Sequence, residues 1–218
     1  MAFPHEMSLA LDHLTIIAPS LEAGAAHVRE RLGMEMQAGG KHPEMGTHNR
    51  LLRLGDIFLE VIAVDPDAKT PTRPRWFDLD DAAAIKAAWD DGRRLRGWVA
   101  RTDDFDAVFA RQSDLLGRKT RISRGDRSWL FSLRPDGALP AGGVAPSLID
   151  WGGRFCPAAD MPDLGASLVS FAIEHPDPVW VTELYEKLAV ANPPEVLKGA
   201  KFRYRATIKT PGGTKELH

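Results

Sequence analysis

Two residues capable of acid–base or metal chemistry sit inside segments that are otherwise apolar. His13 lies within Leu9–Ala18 (LALDHLTIIA) and Glu60 within Ile57–Val64 (IFLEVIAV). Strand alternation puts His13 on one face with Leu11, Thr15 and Ile17, and Glu60 on one face with Phe58 and Ile62. A buried carboxylate without a partner is strongly unfavourable, so Glu60 needs a proton, a cation or a metal ion. A histidine and a carboxylate on paired strands suit a divalent ion such as Zn, Ni, Mn or Fe. Asp150, in the run Leu148-Ile149-Asp150-Trp151, is a candidate third ligand, leaving coordination positions open for water or substrate. The plainer alternative makes His13 a core histidine hydrogen-bonded to Glu60, and Asp150 a loop cap.

Further polar groups cluster in sequence near the first pair. His42 and His48 flank a glycine-containing loop, and either could donate to a bound oxyanion; His48 joins Glu60 as a candidate catalytic residue. Asn49 and Arg50 add donors suited to carboxylate or enediolate oxygens. Trp98 and Trp151 are candidate walls of a substrate pocket. The run Arg118, Lys119, Arg121 and Arg124 reads as a solvated face. No Gly-X-Ser-X-Gly elbow occurs, and the Gly-Gly pairs at 39–40, 142–143 and 212–213 read as turns, so no nucleotide cofactor is expected.

The elements that must position these residues come in a repeating order. A strand at Leu9–Ala18 leads through Ser20 into a helix over Leu21–Leu32, followed by strands near 35–37, 49–54 and 57–64. The order returns with strand 95–101, helix 105–115 and strands near 119–123, 128–133 and 146–151. A helix at Asp78–Trp89 joins the two, and Arg134–Val144 is long enough to wall or cover a site. A third, shorter unit begins at Leu168–Glu174, continues through a helix capped by Asp177 and ends in two strands. The fold class expected is α+β: paired βαβββ modules forming a curved mixed sheet around a cleft, with a partial third βαββ unit. Residues 1–156 hold the two modules, about 8–64 and 95–152, and 157–218 hold the third unit, packed on the same domain and extending the sheet or covering its edge.

Composition narrows the partners. The 218 residues carry 28 Lys plus Arg against 30 Asp plus Glu, a formal net charge of -2, which announces neither a nucleic-acid nor an anionic-membrane partner. No apolar run approaches the ~18 residues needed to span a bilayer, and the N-terminus does not read as a secretory signal. A soluble, cytoplasmic protein is the expectation. The single cysteine, Cys156, excludes an internal disulfide and a cysteine-built zinc site.

The runs LDHLTIIAPSLEAG, GGKHPEMGTHNRLLRLGDIFLEVIAVDP and PSLIDWG resemble the glyoxalase-like domain family of the vicinal oxygen chelate superfamily. The resemblance implies modules paired around a cleft, and metal ligands from the first and fourth strands of each module. By position it assigns His13, Glu60 and Asp150 as ligands, while Gly97-Trp98 departs from the pattern at the fourth place. It implies isomerase- or lyase-type chemistry on a small carbonyl or vicinal-oxygen compound, dioxygenase chemistry less so, and a homodimer. It equally admits a metal-free protein that sequesters a small molecule.

Overall fold

The computed structural model describes residues 9–153 and 156–218. β1 (Ala10–Ile17), α1 (Leu21–Leu32), β2 (Gln37–His42), β3 (Thr47–Leu54) and β4 (Ile57–Val64) form the first unit. After α2 (Ala82–Asp90) the order repeats as β5 (Leu95–Arg101), α3 (Phe105–Leu116), β6 (Arg118–Arg124), β7 (Arg127–Leu133) and β8 (Ser147–Asp150). The helices start and stop where local chemistry dictates. The Ser20 side chain accepts from the Ala23 N–H, and Gly33 closes α1 in the left-handed region at φ 68°.

All eight strands join one mixed sheet in the order β2-β3-β4-β1-β5-β8-β7-β6. β1 and β5 run antiparallel at its centre, and each is flanked by the parallel last strand of its own unit. The sheet curls so far that β2 and β6, its two ends, touch. The expected α+β architecture of paired modules around a cleft is therefore the one the chain adopts.

The curl separates two apolar faces. Leu14, Ile16, Leu59, Val61, Trp98 and Leu148 form an outer core with Val28 and Leu32 of α1 and Phe105 and Val108 of α3. Ile17, Ile62, Val99, Phe131 and Ile149 form an inner one with Trp76, Phe77 and Leu139. Each buried Leu, Ile or Val contributes roughly 1.5–3 kcal/mol, so the two cores fix the strand register, because a one-residue slip would exchange the faces.

The third unit comprises β9 (Ser167–His175), α4 (Pro178–Lys187), β10 (Glu195–Lys198), β11 (Arg203–Thr210) and β12 (Gly213–Leu217). It has one strand more than the sequence pattern shows, because β10 is only four residues long and carries no alternation. It also forms its own sheet, in the order β10-β9-β11-β12, rather than extending the first. Its element order repeats that of the other units, yet its pairing differs: β9 lies parallel to β10, not to the last strand. Phe171 and Tyr185 pack edge-on to Trp98. The Trp98 N–H and the hydroxyls of Tyr185 and Tyr204 all donate to the Val144 carbonyl, at 3.3, 3.0 and 3.0 Å. Trp98 thus anchors the third unit on the outer face.

Candidate functional site

The inner face of the curled sheet leaves a cavity with an empty volume of about 500 Å³, its mouth included. Aromatic side chains dominate its wall, among them Phe58, Trp76, Trp129 and Trp151, and the polar groups that reach it are His13, His42, Asn49, Glu60 and Arg124. Two irregularities in the strands arrange the polar groups.

The first lies in β1. Leu11 pairs with Ala100 and His13 with Val99, so Asp12 is an extra residue with no partner on β5. Such a bulge turns a side chain off the regular alternation. It brings the fully buried Asp12 carboxylate beside its neighbour, with Oδ1 2.7 Å from His13 Nδ1. The other oxygen, Oδ2, accepts from the Trp151 indole N–H at 3.0 Å. Burial alone would raise the Asp12 pKa, but the bonds from His13 and Trp151 and the Arg101 charge outweigh it and hold the carboxyl below its ordinary value. With Asp12 accepting at Nδ1, the imidazole presents Nε2 to the cavity.

The second irregularity is in β2. Pairing with β3 shifts between Ala38 and Lys41, across Gly39 and Gly40. Gly40 N–H donates to Asn49 Oδ1 at 2.7 Å, which fixes the amide so that Nδ2 donates to Glu60 Oε1 at 2.7 Å. A Cβ on Gly39 would stand 2.1 Å from Asn49 Oδ1, and one on Gly40 2.5 Å from an Arg124 terminal nitrogen. The pair read as a turn is instead the gap into which both side chains fit.

Glu60 and His13 close the chain of contacts. Glu60 Oε2 is 3.6 Å from His13 Nε2, and the imidazole lies flat on Phe58, with ring centroids 4.4 Å apart and planes 18° apart. A connected path therefore runs from Gly40 through Asn49, Glu60, His13 and Asp12 to Trp151. Beside it, His42 shares the Thr47 hydroxyl with the Trp76 N–H, at 3.1 and 3.2 Å. Burial, reinforced by the Arg124 and His48 charges, pushes the His42 pKa down to about 3, so it is neutral at physiological pH.

Of the residues singled out from sequence, His13, Asn49, Glu60 and Trp151 line the cavity together. His48 and Arg50 flank Asn49 on β3 and therefore point to the opposite face of the sheet. Trp98 is held on the outer face by the third unit. Asp150 is one residue out of phase: Ile149 and Trp151 line the cavity, while the Asp150 carboxylate accepts from the Gly152 N–H at 2.7 Å. Sequence reasoning passed over Asp12 and Arg124. A bulge leaves no mark on local alternation, and Arg124 stood in a run of cations that looked uniformly solvated.

The donor set bears on a metal ion. His13 Nε2 and Glu60 Oε2 would supply two ligands, but the second half offers Gly97 and Ile149 where partners would be needed, and Leu139 Cδ2 sits 3.1 Å from any Cβ at Gly97. Among the described residues no group of three or more His, Cys, Asp or Glu could hold a metal ion. The residues present do not fit the complete site that the resemblance implies.

A sheet of paired βαβββ units curled around a polar-floored cavity defines a glyoxalase-like protein. A model of the glyoxalase-like domain family matches residues 11–189, and the chain belongs to that family, within the vicinal oxygen chelate superfamily. The match runs past the two modules through α4 and ends at residue 189 in the third unit. Among solved structures, a hypothetical protein from Staphylococcus aureus superimposes with a TM-score of 0.62 at 13% identity, covering 96% of this chain and 99% of that one. It shares the fold, third unit included. Methylmalonyl-CoA epimerases from Streptomyces coelicolor (22% identity, 69% of this chain and 100% of that one, TM-score 0.42) and Mycobacterium tuberculosis (20%, 69% and 92%, 0.42) also match. No curated protein matches the sequence. Among the described residues, no helix is long and apolar enough to cross a membrane.

Proposed function

We propose that this chain is an enzyme that moves a proton on a small carbonyl compound, an isomerase- or lyase-type reaction, with His13 and Glu60 as the proton-transferring pair. One observation carries the reading: Asp12 grips His13 Nδ1 at 2.7 Å, leaving Nε2 in the cavity 3.6 Å from Glu60 Oε2. An imidazole oriented by a buried carboxylate is a general base whose acquired charge is stabilised as it forms. His13 Nε2 takes the proton from the carbon next to the carbonyl, and the electron pair moves to the carbonyl oxygen. The proton then returns to carbon for racemisation or exchange, or reaches the oxygen for isomerisation. Glu60, locked by Asn49, is the second group able to receive or return it. Neutral His42 serves as a hydrogen-bond partner for the enolate oxygen rather than as a charge. The apolar wall excludes water and strengthens each of these interactions.

The reading requires no ligand beyond the described residues. In its metal-dependent form, His13 and Glu60 contribute two donors and Asp150 would have to turn into the cavity. The second reading, a metal-free protein that sequesters a small molecule, draws support from the aromatic lining, to which β5 and β8 add no titratable group.

Deuterium incorporation from D2O into phenylacetone and phenylpyruvate, followed by NMR, separates these readings. Chelator-treated wild-type protein is expected to exchange the α-hydrogens of at least one probe well above the buffer rate. His13→Asn and Glu60→Gln are expected to lose at least a hundredfold of that rate while retaining ligand affinity. Binding without exchange in the wild type would favour the sequestering protein. Exchange that appears only on adding a divalent ion would favour the metal-dependent form.

A further inference from the structure

We infer that the cavity is built for an anion: a small, flat, largely apolar carboxylate whose charged group meets the Arg124 guanidinium while its body lies against Phe58, Trp129 and Trp151. This names a substrate class for the proton-transfer site and rests on that reading for the site's identity.

Arg124 is a cavity cation without a described partner. It is the last residue of β6 and lines the cavity half-buried, with its guanidinium carbon 5.9 Å from the centre of the Trp129 ring. Arg75, Arg134 and Arg203 are tied to Asp80, Asp136 and Asp91, and the half-buried Arg50 and Arg96, which also carry unpaired nitrogens, lie outside the cavity lining. Among the described residues Arg124 has neither a hydrogen bond nor an ion pair. Its N–H donors, in a planar fork that matches a carboxylate, are thus not taken by a described protein partner. Burial and the nearby Arg127 charge disfavour the Arg124 cation and the Glu60 charge favours it; the net shift is downward, and an incoming anion would oppose it.

The rest of the cavity makes the cation useful. Asp12 and Glu60 place two carboxylates around one imidazole, so a third anion could enter only against a counter-charge. Arg124 is the arginine that lines the cavity. Its position is also purchased structurally: Gly40 lies beneath the guanidinium, where a Cβ would stand 2.5 Å from a terminal nitrogen. The bulge that orients Asn49 therefore also seats Arg124, joining the anion site to the proton-transfer pair through one strand.

Isothermal titration with phenylacetate and its neutral methyl ester tests the inference without requiring turnover. The wild type is expected to bind phenylacetate at least tenfold more tightly than the ester. Arg124→Gln should lose that tenfold for the anion and leave the ester within twofold, with Arg124→Lys intermediate; circular dichroism confirms that each variant is folded. Equal affinity for acid and ester in the wild type, or undiminished anion affinity in Arg124→Gln, would overturn the anion site. Arg124-dependent affinity in a protein that shows no exchange would support the anion site and discard only the proton-transfer reading. Exchange activity combined with anion binding indifferent to Arg124 would do the reverse.

Discussion

The two halves of the main sheet share an element order but present different chemistry to the cavity they enclose. The first half supplies His13, Asn49 and Glu60 from β1, β3 and β4, with His42 from β2. The second supplies Trp129, Phe131 and Ile149 from β7 and β8, with a single cation, Arg124, from β6. The difference originates at equivalent places: β1 has a bulge and a histidine where β5 has Gly97, and β4 turns Glu60 inward where β8 turns Ile149 inward. Under the proposed function, the duplicated architecture divides into a half that handles protons and a half that shapes and holds the ligand. Burying two related sets of titratable groups in one small space would have doubled the desolvation cost, and the second half avoids it.

The largest expected effect comes from giving the second half a carboxylate. Ile149→Glu should destabilise the protein by about 3 kcal/mol, the scale of an unpaired buried charge, as read from urea unfolding. It should also gain a rise in Tm with Zn or Ni that the parent lacks, since a third donor then faces His13 and Glu60. A similar metal-dependent rise in the parent would mean that the first half already completes a site.

Within the first half, Asp12→Ala should cost about 2–3 kcal/mol, because it strands the buried His13 Nδ1 and the half-buried Trp151 Nε1 donors. Trp129→Phe, its counterpart in the apolar half, should cost about 1 kcal/mol or less. Equal losses would erase the distinction between the halves.

Acidification offers a third comparison. Burial, with the nearby Arg124 and His48 charges, holds His42 near pKa 3, and burial with the Arg94 charge holds His27 near 4, against 6.5 for an exposed histidine. The unfolded chain therefore binds protons below pH 6.5 that the folded chain refuses, so stability is complete above 6.5 and falls as pH drops. For His42 the loss should reach up to about 1.4 kcal/mol per pH unit until pH approaches 3. Tm measured from pH 7 to 4.5 should decline, and His42→Gln should flatten the slope. A Tm that does not change over this range would contradict the neutral, buried state of His42.

A last comparison sets the two glycines of the bulge against each other. Gly39→Ala should cost about 1–3 kcal/mol, because its Cβ would meet both the side chain and the backbone of Asn49. Gly40→Ala should cost about 1 kcal/mol or less, since Arg124 can swing aside, but should weaken phenylacetate binding severalfold.

How much of this was legible in the sequence follows from range. The pairing of His13 with Glu60 was readable because both interrupt apolar alternation in strands whose inward faces can be counted. The helix starts at Ser20 and Asp177 were readable because capping is local. Asp12 was not, because a bulge is a mismatch between two strands and shows in neither alone. Asp150 went out of phase because β8 spans only four residues, too few for alternation to fix its inward face. Arg124 differs from Arg121 only after the sheet curls and brings β6 against β2. Trp98 faces the third unit rather than the cleft, and that unit's separate sheet depends on the four-residue β10.

The most direct test of the divided cavity is the deuterium exchange rate of phenylpyruvate as a function of its concentration, in the parent, His13→Asn and Phe131→Ala. A divided cavity requires that His13→Asn lower the saturated rate at least a hundredfold with KM changed less than threefold, and that Phe131→Ala raise KM severalfold and leave the saturated rate within threefold. Loss of saturated rate in Phe131→Ala with none in His13→Asn would contradict it.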